Sequence, residues 1–114
     1  MNRVLVSPLY DPDARLAQQV LNNGDKLFKI YAGNIFVSIS HKTSEETERA
    51  LEKVKIPFIT SAHKISLGEN YRRAIAGGLK LQASHIHLVD FDRALHWAQR
   101  YPDELRRIDK EVEK

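Results

Sequence analysis

The chain has 114 residues, 42% of them hydrophobic and 29% charged, with a formal net charge of +3 and no cysteine. That length suits one domain with a single core, and the lack of cysteine excludes disulfides, thiolate metal sites and a cysteine nucleophile. No apolar run approaches the ~20 residues of a membrane span and no signal-peptide h-region opens the chain, so a cytoplasmic location is expected.

The basic residues are dispersed among acids, as in Glu45–Arg49 and Asp103–Arg107, and no aromatics interleave with a basic cluster. Such runs read as solvated helix faces, and nucleic acid is not an expected partner.

Arg3–Ser7 reads as a first strand, stopped by Pro8 and the turn formers Asp11-Pro12-Asp13. Asp11 or Asp13 then caps a helix carrying Leu16, Val20 and Leu21, and Asn22-Asn23-Gly24 has the composition of its C-cap. Leu27, Phe28 and Tyr31 either continue as helix or, with Ile30, belong to a strand ahead of Gly33. From Asn34 to Ser40, Ile35, Val37 and Ile39 alternate with their neighbours, the period of a second strand.

Thr43 or Ser44 caps the next helix, with Glu45 and Glu46 in its first turn and Ala50, Leu51 and Val54 inward. Ile56–Thr60 is a third strand with Pro57 at its start. Ser66-Leu67-Gly68-Glu69 has capping-box spacing and opens a helix whose inward stripe is Tyr71, Ala74, Ile75 and Leu79. Gly77-Gly78 inside that helix allows close packing on a sheet.

A fourth strand runs from His85 towards Asp92, followed by a short helix with Leu95 and Trp97 that ends near Tyr101. Asp103 opens a last helix with Leu105, Ile108 and Val112 on one side.

The order β-α-β-α-β-α-β-α-α predicts a three-layer α/β/α fold, a Rossmann-like half with a four-stranded parallel sheet in order 3-2-1-4. Val4, Val6, Val37, Ile39, Phe58, Ile75 and Leu88 are its expected core. Ligands of such sheets bind beyond the strands' C-terminal ends, and there the chain places Asp90-Phe91-Asp92.

On extended backbone, residues two apart face one side, so both carboxylates converge and offer hard oxygens to Mg²⁺ or Mn²⁺. The plainer alternative is a strand followed by an acidic helix cap. His96, one helical turn beyond Asp92, is an additional metal-ligand candidate. His85 and His87 share a strand face but have no assignable third ligand. Ser7, Ser38, Ser40 and Ser61 lack the setting of a nucleophile elbow.

With the order in place, three stretches carry a resemblance. Val4–Tyr10 resembles the first strand and its "P-x-Y/F-N" turn, Leu67–Leu79 the "G…RN-x-G" helix, and His87–Asp92 the strand ending in a D-x-D motif. Over roughly residues 3 to 100 the chain resembles the N-terminal, nucleotide-binding half of a GT-A-fold glycosyltransferase of the family 2 type.

That resemblance implies a single nucleotide-binding domain over residues 1–114, which binds a nucleotide sugar or nucleoside diphosphate through a divalent cation. It makes Asp92 the leading metal ligand, and Asp90 a partner of the ribose, a further metal ligand or a group that orients one. Arg73 would offer charge to the diphosphate, and Pro8, Leu9 and Tyr10 would wall the base. The catalytic residue stays unassigned.

The chain departs from that pattern in places. The family usually has an acidic base reader after the second strand, where Ser40 and His41 stand here, and Ala74 follows Arg73 in place of Asn. A whole GT-A domain is about twice this length, so a donor-site half is expected, incomplete for transfer. The reading from another class is a non-catalytic α/β module. It would self-associate, most simply as a homodimer, through its open sheet edge or the Leu105, Ile108 and Val112 stripe.

Overall fold

Alternation within two strands sets the two faces of the sheet. In the computed structural model, which describes residues 3–61, 64–81 and 84–112 (the last five by backbone alone), β1 spans Arg3–Leu9 and β2 Ile35–Ile39. Leu5 and Leu9, with Ile35, Val37 and Ile39, point to one face; Val4, Val6 and Phe36 point to the other. With β3 (Phe58–Thr60) and β4 (His85–Leu88) they form a four-stranded, all-parallel sheet in order β3-β2-β1-β4. The predicted class and strand order are those observed.

The helices divide unequally. α1 (Ala17–Ile30), α2 (Glu45–Lys53), α4 (Phe91–Arg100) and α5 (Pro102–Val112) cover the first face. α3 (Leu67–Lys80) lies on the other, against β1, β2 and β4. This follows from handedness. The crossovers β1–α1–β2–α2–β3 step one way along the sheet, and β3–α3–β4 steps back across it. The reversal leaves a crevice between the C-terminal ends of β1 and β4.

Several boundaries differ from the sequence reading. β1 runs through Pro8 to Leu9. Leu5 and Leu9 bond towards β2, whereas Val6 accepts from Val89 on the β4 side. Pro8 shares the phase of Val6, and β4 pairs with β1 only as far as Val6, so its missing N–H breaks no ladder bond.

α1 continues through Asn23 and Gly24, which are not a C-cap. Gly24 is small for a tertiary reason, since a Cβ there would lie 2.9 Å from a Val54 methyl at the end of α2. The chain turns instead at Gly33, with φ +82. Both serine caps are observed: Ser44 accepts from the Thr47 N–H and Ser66 from the Glu69 N–H.

The core is larger on the four-helix face than expected. Leu5, Leu27, Tyr31, Phe91 and Leu95 are fully buried there, beside Leu51 and Leu105. Leu88 is 40% exposed because β4 is an edge strand, and Phe58 and Ile75 are only partly buried. Leu79 leaves the expected inward stripe of α3 and is exposed, its place taken by Gly78 against Val6. Of the terminal stripe, Leu105 is buried within this chain, and the side chains of Ile108 and Val112 lie outside the described residues. Among the described residues no helix is long and apolar enough to cross a membrane.

Candidate functional site

At the C-terminal edge of the sheet a cleft of about 370 Å³ opens where the β1 and β4 ends diverge. Its floor and one wall are Pro8 to Asp11, its rim includes Arg15, and the opposite side carries Asp90 and Asp92. The first turns of α3 supply Leu67, Asn70 and Tyr71. A second pocket of about 370 Å³ shares Tyr10, Leu67 and Asn70, and continues the trough over the end of β2 to His41 and Lys42. Tyr10, 58% exposed, borders both.

The two carboxylates reach the cleft by a different route from the one expected. β4 ends at Leu88 and α4 begins at Phe91, so Asp92 is in the first helical turn and Asp90 is the N-cap residue. Alternation along a strand is therefore not what brings them together; the strand-to-helix turn is.

Asp90 also declines the role its position offers. Its side chain makes no bond to the N–H groups of α4 and instead accepts a hydrogen bond from the Tyr71 hydroxyl at 2.5 Å. That bond raises the Tyr71 pKa above its ordinary value of 10.0, chiefly because ionisation would lose it, then through desolvation and the charges of Asp90 and Asp92. Asp92 Oδ1 accepts from the Arg93 N–H at 2.8 Å, and its position in the first turn suits the helix dipole.

Asp11 is a third carboxylate of the cleft but has another task. It is only 4% exposed and accepts from the Arg15 and Leu16 N–H groups, each at 2.9 Å, and from the Thr47 hydroxyl at 2.7 Å. These bonds satisfy donors at the entry to α1 and hold the turn in which Ala14 takes a left-handed φ of 56. Asn70 is also tied to the scaffold: Ser38 Oγ donates to its Oδ1 at 2.7 Å across α3 and β2, and its side-chain N–H groups remain as donors.

Other expected residues lie elsewhere. Arg73 is farther along α3, in a groove with Phe36, Ile59 and Lys80, away from the carboxylates. Arg15 is the cation the cleft contains, 3.9 Å from Asp13 and largely exposed. Its place just after the first strand's turn was the available signal. His96 stacks edge-on against Tyr101, with centroids 6.3 Å apart, and lines neither pocket. His87 bonds the Tyr31 hydroxyl at 2.5 Å and His85 the Ser84 hydroxyl at 3.3 Å.

Among the described residues no three of His, Asp, Glu or Cys are placed to hold a metal ion. The donor set is thus Asp90 and Asp92 alone. Two carboxylates suit Mg²⁺ or Mn²⁺ only if phosphate oxygens and water complete the shell, which is how such ions are commonly held beside a diphosphate. Two carboxylates with no further protein donor do not make a site for a free ion. No family model, curated protein or solved structure matches the chain. The site is therefore read from its own atoms.

Proposed function

We propose that this protein binds the diphosphate of a nucleoside diphosphate or nucleotide sugar in the β1–β4 cleft, with Mg²⁺ or Mn²⁺ between the phosphates and the Asp90 and Asp92 carboxylates. The observation that carries this reading is Asp90 itself, an N-cap residue that leaves its helix uncapped and turns to the cleft under the hold of Tyr71.

In this reading Asp90 and Asp92 supply hard oxygens, the Arg15 guanidinium meets outer phosphate oxygens, and the exposed Tyr10 ring offers a face to the sugar or base. A divalent cation held there would neutralise the charge of the bound diphosphate. Sugar transfer is not part of the proposal. Among the described residues of this cleft no group beyond the metal pair and the fully bonded Asp11 is placed to take a proton from an acceptor.

Calorimetry with UDP and GDP, in Mn²⁺ and in chelator, tests it. Binding should weaken by at least about tenfold without the ion, and Asp92→Asn should remove most of that difference while the fold is kept. No binding of either nucleotide at millimolar concentration, with or without metal, overturns the reading.

A second reading, self-association, is favoured by the outer edge of β4. Among the described residues no strand pairs there, and Leu88 is exposed beside it. Light scattering should then give twice the monomer mass, and a monomer at high concentration dismisses it.

A further inference from the structure

The second pocket has a chemistry of its own. Its polar lining includes Ser40, His41 and Lys42 after β2, Lys64 and Ser66 before α3, and Asn70 in the first turn of α3. Because β2 and β3 are parallel neighbours, both loops leave the same edge of the sheet and face one another. No carboxylate lines this pocket, and neither lysine has an acid within ion-pair distance among the described residues. Both cations border the pocket with no carboxylate among its lining, so the charge it offers a ligand is positive.

Two further observations point the same way. His41 Nδ1 is buried and has no hydrogen-bond partner. The 14-residue helix α3 also begins here: Ser66 takes the Glu69 N–H on its hydroxyl and the Asn70 N–H on its carbonyl. The N–H groups of Leu67 and Gly68 are thereby left without intrahelical acceptors. Beside the donors stand Tyr10, Ile65 and Leu67, an apolar wall for an organic body.

We infer that this pocket is an oxyanion subsite for a phosphoryl group, held without metal by Lys42, Lys64, His41 and the first N–H groups of α3. The ligand is a phosphate monoester or free phosphate. The site does not depend on the metal–diphosphate reading of the neighbouring cleft.

The test is an amide NMR titration of the whole chain in chelator, with phenyl phosphate and with inorganic phosphate. Saturable shifts are expected at Ser40–Lys42 and at Leu67 and Gly68, weakening with added salt. The Lys42→Ala/Lys64→Ala double variant should bind at least about tenfold more weakly. Both lysines are exposed, and matching melting temperatures will show that the double variant folds.

Tighter binding of phenyl phosphate assigns the site to an ester through the apolar wall; equal binding assigns it to free phosphate. Absence of saturable shifts with either probe overturns the inference, as does binding that the double variant leaves unchanged. Metal is excluded throughout, so such a failure leaves the Asp90 and Asp92 proposal standing, and failure of the Mn²⁺ titration leaves this one standing.

Discussion

The β1–α1 and β4–α4 connections both carry an aspartate just past a strand's C-terminal end, and they use it in opposite ways. Asp11 is buried, and its carboxylate satisfies two backbone donors and the Thr47 hydroxyl, while its own N–H donates to Thr43 Oγ1 at 3.0 Å. Asp90 is exposed, takes one bond from Tyr71 and leaves its helix uncapped. A buried carboxylate that gives three of its lone pairs to the chain is scaffold. One held beside a cleft with lone pairs to spare is available to a ligand.

The largest effect expected from this contrast is on stability. Asp11→Ala strands two backbone N–H groups and the Thr47 hydroxyl, and should lower the unfolding free energy by about 3 kcal/mol. Asp90→Ala removes one exposed bond and should stay within about 0.5 kcal/mol. Urea denaturation of the two variants measures both. Equal losses would mean that Asp90 is also scaffold, and the contrast would fail.

A smaller effect is expected where the two connections depend on α3. Asn70 and Tyr71 reach the cleft because α3 sits close on the sheet at Gly77 and Gly78. A Cβ at Gly78 would lie 2.7 Å from a methyl of Val6, a β-branched, fully buried residue on a central strand. Gly78→Ala gains ~1 kcal/mol of helix propensity but forces the helix outward, for a net loss of about 1 to 2 kcal/mol. Thermal melting should show that loss. Unchanged stability would place α3 farther from β1 than described.

Much of this architecture was legible because its signals are local. Ser44 and Ser66 announce their helices within four residues, and the alternation of Ile35, Val37 and Ile39 marks a strand with no tertiary help. Gly24 misled because its reason is Val54, thirty positions away in the chain. Val89 made the fourth strand look longer than it is, which placed Asp92 on a strand when it is on a helix.

The carboxylate pair itself was legible, and so was the edge of the sheet it occupies. Arg73 does not border the cleft because helical position matters along the axis as well as around it. It lies beyond the first turns that border the cleft, over Phe36 and Ile59, whereas Arg15 enters from another connection. No short pattern announces Tyr71 as the partner of Asp90, since that pairing exists only once α3 has crossed to the opposite face of the sheet.

The smallest effect concerns that pairing and gives it a spectroscopic signature. The Asp90 carboxylate accepts the Tyr71 proton, so the folded chain holds the phenol above its ordinary value of 10.0. The sign follows directly. A group whose folded pKa is raised contributes its stability in full below the unfolded pKa, near 10, and loses it as pH rises through the folded value. Both residues are solvent-accessible, so the contribution to stability is slight and the titration is the better readout.

The chain has four tyrosines, and an ultraviolet titration of the unaltered protein minus that of Tyr71→Phe isolates the one in question. That difference curve should lie on the alkaline side of an ordinary phenol. Asp90→Asn, which removes the charge and weakens the acceptor, should move it back towards 10. A Tyr71 that titrates as an ordinary phenol in the unaltered chain means the bond does not persist in solution. Asp90 would then be free to cap α4, and the distinction between the two connections would shrink to one of burial alone.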